Sequence, residues 1–254
     1  MRKIIFFDID NTLVDSETFK VPSETLRLLE ELSKRDDYYL GIATGRGPGR
    51  LKVISDIVHF FDAFVFSNGS YVTLEGNVIY DQPIEPERIN EVLKIAQKHD
   101  LLLGVSGLDG DALIRRQEEG VIDLKNEAKL EPDYYLNNKI YQVWLVSTGM
   151  EKLLLGLEEL PNFNQYLWTR SGVDLTVDNH SKGTGILKVK ALLEPIEVIS
   201  IGDGYNDIDM IEVADIGIEM GNSKVNELKE KADLIGPSVK ENKLYEFLKN
   251  HGII

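Results

Sequence analysis

Residues Lys3 to Asp15, reading KIIFFDIDNTLVD, place Asp8 and Asp10 directly behind an unbroken apolar run. A run without polar alternation reads as a strand covered on both faces, which is the situation of a central strand in a parallel sheet. That points to an α/β architecture, in which ligands gather beyond the carboxyl ends of the strands. Two carboxylates one residue apart at such an edge repel each other unless a cation or a proton offsets them. Asp8-Ile9-Asp10-Asn11 on its own also suits a solvated turn, so the rest of the chain has to decide.

A second run, Tyr38 to Ala43, ends in Thr44-Gly45-Arg46, where a hydroxyl, a flexible backbone N–H and a guanidinium all suit an anion. A third, Ile196 to Ile201, leads into Gly202-Asp203-Gly204-Tyr205-Asn206-Asp207 and again puts carboxylates behind a strand. Its glycines superficially match a dinucleotide-binding loop. Asp203 would meet a pyrophosphate as a like charge, however, and Asp207 stands where the third glycine belongs, so nucleotide cradling is rejected. A metal suits these carboxylates better. With no cysteine, and histidine only at positions 59, 99, 180 and 251, the available ligands are hard oxygens, which favour Mg²⁺ over zinc or iron.

A fourth element is Ser181-Lys182-Gly183-Thr184, with Ser181 as N-cap and Lys182 as the first helical residue. A lysine there faces the positive end of the helix dipole, which is locally unfavourable. An ammonium beside free helix N–H groups does, however, make a phosphate or acyl-phosphate site.

The segments around these motifs alternate as a parallel sheet requires. Helices are expected at Ser23–Lys34, with Leu26, Leu29 and Leu32 turned inward, and at Leu51–Phe60, followed by a strand to Phe66. Tyr71 to Tyr80 reads as a hairpin turning at Glu75-Gly76-Asn77. Residues 83–178 break the rhythm and are expected to form an inserted α+β domain. It has helices at Pro86–His99 and Glu151–Leu160 and strands near Leu101–Val105, Ala112–Arg116, Tyr141–Ser147, Gln165–Thr169 and Val173–Val177. Residues 1–82 and 179–254 then form the main domain. Its second half has a helix to Leu193, a strand to Ile201, a helix at Asp207–Val213, a strand at Ile216–Met220 and helices at Lys224–Lys231 and Leu244–His251. Hinges are expected near Asp81–Pro83 and Asp178–His180, where polar residues or proline interrupt the pattern.

A chain of 254 residues is long enough for such a core. Its formal net charge of −15, with no basic patch, argues against a nucleic-acid partner. Only four apolar residues separate Lys3 from Asp8 and no stretch approaches membrane-spanning length, so neither a signal peptide nor a membrane partner is expected, and the cytoplasm is the default location. A monomer or small homo-oligomer is expected.

Taken in order, DIDNT, TGR, SKG and GDGYND resemble the four motifs of the haloacid dehalogenase (HAD) superfamily. Ser67-Asn68-Gly69, the long insertion and GDGYNDIDM followed by IGIEMGNS resemble its Cof-type hydrolases with a subclass IIB cap. The resemblance implies a doubly wound, mostly parallel Rossmann-like core with an α+β cap, and a Mg²⁺-dependent phosphatase of small phosphorylated metabolites, above all sugar phosphates. It implies Asp8 as nucleophile and Asp10 as general acid/base, with Mg²⁺ held by Asp8, the Asp10 carbonyl and Asp203, and Asp207 behind them or bonded through water. Thr44, Gly45, Lys182 and Asn206 would bind the phosphate, with Arg46 beside them. The cap would select the substrate, with Arg115, Arg116, Lys139, Tyr141, Trp144, Trp168 and Arg170 as candidates. Asp209 reads as a solvated helix-face charge. Two other functions share much of this pattern: a phosphomutase, and a receiver-type signalling module that keeps its phospho-aspartate.

Overall fold

The computed structural model of the chain describes residues 2–118, 128–169, 171–177 and 179–254. In chain order the first elements are β1 (Arg2–Phe7), α1 (Ser23–Leu32), β2 (Tyr38–Ala43), β3 (Ala63–Phe66), β4 (Tyr71–Leu74) and β5 (Asn77–Asp81). Next come α2 (Pro86–Lys98), β6 (Leu102–Gly107), β7 (Asp111–Arg115), β8 (Lys129–Leu130), α3 (Tyr134–Asn137), β9 (Ile140–Val146), α4 (Met150–Glu158), β10 (Phe163–Thr169) and β11 (Gly172–Val177). The chain finishes with α5 (Lys182–Leu193), β12 (Ile196–Gly202), α6 (Ile208–Glu212), β13 (Ile216–Glu219), α7 (Asn226–Lys231), β14 (Leu234–Ile235) and α8 (Leu244–Asn250). These divide into two compact units: residues 1–45, 51–81 and 181–254 in one, residues 46–50 and 82–180 in the other. No helix of the described residues is long and apolar enough to cross a membrane.

The first unit is an eight-stranded sheet in the order β14-β13-β12-β1-β2-β3-β4-β5, parallel from β14 to β3 and closed at one edge by the antiparallel β3-β4-β5 meander. From β1 the chain first winds outward through β2 and β3 and later, on the other side, through β12, β13 and β14. That reversal opens a crevice at the carboxyl end of β1. Phe7 pairs with both Ile201 and Ile42, so the loops after β1, β2 and β12 leave the sheet at one level.

Both faces of β1 are covered, as its unbroken apolar run requires. Ile5 and Phe7 pack with Leu28, Leu32, Ile199, Ile201 and Leu248, while Ile4 and Phe6 pack with Ile186, Val189 and Val198. The inward stripe of α1 is Thr25, Leu28, Leu29 and Leu32, a regular helical spacing, with Leu26 at its margin rather than in it. The helix expected at Leu51–Phe60 is instead two 3₁₀ turns, Pro48–Ile54 and Val58–Phe60. The β-branched Val53, Ile54, Ile57 and Val58 lose side-chain freedom in an α-helix, which weakens that segment's preference for one. Strands β8 and β14, two residues each, and the single turn α3 were not expected; elements so short leave no periodic signal.

The second unit carries a six-stranded sheet, β10-β11-β9-β6-β7-β8, antiparallel except where β7 meets β8. Its core sets Ile89 and Val92 of α2 and Leu153 and Leu157 of α4 with Leu103, Val105, Val143 and Leu145 of the sheet. The opposite sheet face bears an apolar patch of Leu102, Leu113, Trp144 and Val146. Beside it, Ser106 lies opposite both Gln142 and Asp111, and Trp144 lies opposite both Gly104 and Asp174. Among the cap candidates, Tyr141 and Trp144 are buried, and Arg115 donates to the Leu101 carbonyl at 2.6 Å while pairing with Asp100. Arg170 and the hinge residue Asp178 lie outside the described residues.

Candidate active site

Asp8 is the first residue beyond β1, and its N–H donates to the Ile201 carbonyl of the neighbouring β12 at 2.9 Å. The backbone then turns tightly: Asn11, at φ 59°, donates its N–H to the Val14 carbonyl at 2.7 Å, and Asp10 bridges to Val14. Asparagine adopts that left-handed conformation more readily than most residues, so a residue other than glycine suffices here.

Lys182 is wholly buried, and its Nζ donates to Asp8 Oδ1 and to Asp207 Oδ1, each at 2.6 Å. The other Asp207 oxygen accepts from the N–H groups of Asp203 and Gly204 at 2.9 and 2.8 Å. The Asp207 carboxylate is thus engaged on both oxygens by the chain itself. Asp203 accepts from the Asn222 amide at 3.1 Å, and the same Nδ2 donates to the Asn11 carbonyl, tying the loop after β1 to the loop after β12. Asp8, Asp203 and Asp207 each bring a carboxylate oxygen into one group within 4.8 Å of one another.

Three clustered carboxylates share one ammonium, and the electrostatics register the imbalance. Burial pushes the Asp8 carboxyl up to about 7, with Asp207 and Asp10 adding to the effect and Lys182 opposing it. Burial, then Asp8 and Asp207, push Asp203 up to about 8. For Lys182, burial works against the charge, but Asp207 and Asp8 outweigh it and hold the ammonium above its usual range. A buried set of this kind is short of positive charge.

On the other side of the site, the loops after β2 and β3 meet the loop after β12. Thr44 is buried, its N–H donates to the Val65 carbonyl, and its own carbonyl accepts from Asn68 N–H at 3.0 Å. Asn68, fully buried at φ 50°, accepts from the Asn206 amide at 3.0 Å. A methyl group on Gly45 would stand 3.3 Å from the Asn68 amide nitrogen and 3.5 Å from that of Asn206, so Gly45 brings bare backbone against both amides. Arg46 donates to the Arg50 carbonyl at 3.4 Å and belongs to the stretch that clusters with the second unit.

Ser181 is the N-cap of α5: its hydroxyl accepts from Thr184 N–H at 3.2 Å. Gly183 N–H donates to Asp209 at 3.0 Å. Two of the N–H groups at this helix start, those of Gly183 and Thr184, are therefore taken by the chain's own side chains, and the Lys182 ammonium is what this helix brings to Asp8 and Asp207. Asn68 and Asn222 carry no role in the sequence reading, although both stand in quoted stretches, SNG and IGIEMGNS. A buried amide that braces another side chain has no local signature.

The haloacid dehalogenase-like hydrolase family model matches residues 5–248. The Bacillus subtilis (strain 168) protein called Putative phosphatase YkrA is 31% identical over 260 residues, covering 99% of this chain and 98% of that protein. Among solved structures, a protein of Geobacillus kaustophilus HTA426 is 30% identical with a TM-score of 0.85 over 100% of both chains. The HAD subclass IIB sugar phosphatase BT4131 is 26% identical with a TM-score of 0.85, over 99% of this chain and 100% of that one. The chain therefore belongs to the haloacid dehalogenase-like hydrolases, in their Cof-type branch, and is an enzyme of the phosphatase class.

Proposed function

We propose that the chain is a Mg²⁺-dependent phosphatase of small phosphorylated metabolites, sugar phosphates first among them, working through an aspartyl-phosphate on Asp8. The observation that carries this reading is the Asp8 carboxylate itself, buried at the sheet edge and fixed by a 2.6 Å bond to Lys182. Such a bond sets the carboxylate's orientation and favours its charged, nucleophilic form.

In the first step an Asp8 oxygen bonds to phosphorus as the bond to the leaving oxygen breaks, and Asp10 gives that oxygen its proton. In the second, Asp10 takes a proton from water, whose oxygen bonds to phosphorus; inorganic phosphate departs and Asp8 is restored. Thr44, the Gly45 N–H, Asn206 and Lys182 hold the phosphoryl oxygens, with Arg46 as a further candidate, and Lys182 also keeps Asp207 paired. The donor set fits Mg²⁺: all oxygen, no cysteine, and more carboxylates than the single ammonium neutralises. Asp8, Asp203 and the Asp10 carbonyl would hold the ion, with Asp207, engaged on both oxygens, behind them. When bound, Mg²⁺ supplies positive charge against the phosphoryl oxygens and the clustered carboxylates.

Activity is expected to vanish with a chelator and return with Mg²⁺, and Asp203→Ala is expected to raise the Mg²⁺ concentration for half-maximal rate by at least about tenfold. A Mg²⁺ titration of both proteins checks this. Unchanged metal dependence in the variant would remove Asp203 from the metal site.

The sugar-phosphate class finds support in the likeness to the HAD subclass IIB sugar phosphatase BT4131, 26% identical over 99% of this chain. A screen of sugar phosphates against nucleotides with Mg²⁺ tests it: the highest kcat/KM is expected among the sugar phosphates, and a preference for the nucleotides would contradict the assignment.

A further inference from the structure

Asp209 is the one carboxylate of the GDGYNDIDM stretch that the proposed mechanism does not use, and the structure does not leave it as a solvated charge. It is half-buried on α6, two residues beyond Asp207. One of its oxygens accepts from Gly183 N–H at 3.0 Å, and its carboxylate also hydrogen-bonds the Ser181 side chain. Ser181 and Gly183 are the two residues flanking Lys182. The same short segment therefore holds the lysine twice: Asp207 binds its ammonium, and Asp209 binds the Gly183 N–H on one side of it and the Ser181 side chain on the other.

The packing is close enough to depend on glycine. A methyl group on Gly183 would lie 2.7 Å from the Asp209 carbonyl oxygen and 2.9 Å from its carboxylate, so any side chain there would push α5 away from α6. The carboxylate also sits against the positive end of the α5 dipole, which offsets the local cost of starting that helix with a lysine. It takes the place that a phosphate would otherwise find among the free N–H groups.

We infer that Asp209 is a positioning residue for Lys182, setting where its ammonium stands between Asp8 and Asp207. The inference rests on Lys182 acting in the phosphatase reaction. Its effect on catalysis should be transmitted wholly through that lysine, which distinguishes positioning from general support of the fold. A displacement of about 1 Å at a catalytic group can cost on the order of a hundredfold in rate.

The test is a double-mutant cycle on the full chain with nitrophenyl phosphate and saturating Mg²⁺, well below the melting temperature of every variant. Asp209→Ala is expected to lower kcat/KM by roughly 10- to 100-fold in the parent and by less than about twofold in a Lys182→Ala background. Asp209→Asn, which keeps an acceptor for Gly183 N–H, is expected to recover most of the loss. Equal losses in both backgrounds, or a lowered melting temperature with unchanged kcat/KM, would overturn the inference. If Asp209→Ala does not fold, Asp209→Asn against Asp209→Ser gives the same comparison with acceptors retained at two reaches, and indistinguishable kcat/KM values there would overturn it equally. A Lys182→Ala enzyme as active as the parent would instead refute the role of Lys182 in the proposed reaction, a separate failure.

Discussion

Asp8→Asn is expected to abolish turnover, lowering kcat by at least about 10⁴-fold, the scale on which enzymes lose activity with a covalent nucleophile. The amide keeps the shape of the side chain and an oxygen to accept from Lys182, so the fold should survive. It should in fact tolerate the change well in metal-free solution. The Asp8 carboxyl is pushed up to about 7 by burial and by its carboxylate neighbours, so its negative charge is costly there, and a neutral group removes that repulsion. The metal-free melting temperature is thus expected to equal or exceed the parent's. Calorimetry beside a phosphatase assay separates the two effects. Activity near the parent level would refute Asp8 as nucleophile, while an unfolded variant would show that its charge is needed for structure.

Lys182→Ala has the second largest expected effect, and it strikes stability as well as rate. Lys182 is fully buried with two 2.6 Å bonds to carboxylates, and its removal takes from Asp8 and Asp207 the cation that both are paired with. Breaking a buried ion pair from one side costs about 3–5 kcal/mol, because a charge is left uncompensated. Bound Mg²⁺ should return part of that loss, since a ligand that binds the folded state stabilises it by mass action. The expected result is a metal-free melting temperature well below the parent's, a larger upward shift on adding Mg²⁺ than the parent shows, and kcat/KM reduced at least about 100-fold even with saturating metal. Equal Mg²⁺ shifts in both proteins would mean that the lysine and the ion do not share the same carboxylates.

The parts of the site that the sequence makes legible are those that end strands. Asp8, Thr44 and Asp203 each follow an apolar run, and the switch-point rule for parallel sheets brings such residues to one edge. Lys182 was legible because a lysine just behind an N-cap serine breaks a local rule, and broken local rules gather at functional sites. Asn68, Asn222 and Asp209 were not, because each works by bracing a residue far away in sequence: Asn68 on Asn206, Asn222 on Asp203, Asp209 on the Gly183 N–H beside Lys182. Nothing within a few residues of them announces that partner. Asp209 reads as a surface charge on composition alone and becomes intelligible only when α5 and α6 are seen touching at Gly183. The segment Leu51–Phe60 failed for a different reason. Its apolar spacing resembles a helix, but four β-branched residues weigh against continuous α-helix, and the chain settles into 3₁₀ turns.

The most direct measurement is a rapid acid quench of the Asp10→Asn protein with nitrophenyl phosphate and Mg²⁺, followed by intact-protein and peptide mass analysis. Nitrophenolate leaves with little need of a proton, so the first step should proceed, whereas the second lacks the base that activates water. The account predicts an early burst of nitrophenolate approaching one equivalent per enzyme, with a single phosphoryl group on the peptide containing Asp8 that decays slowly on continued incubation. Nitrophenolate and inorganic phosphate released together at every time point, with no phosphorylated protein, would contradict it, as would a phosphoryl group found on any residue other than Asp8.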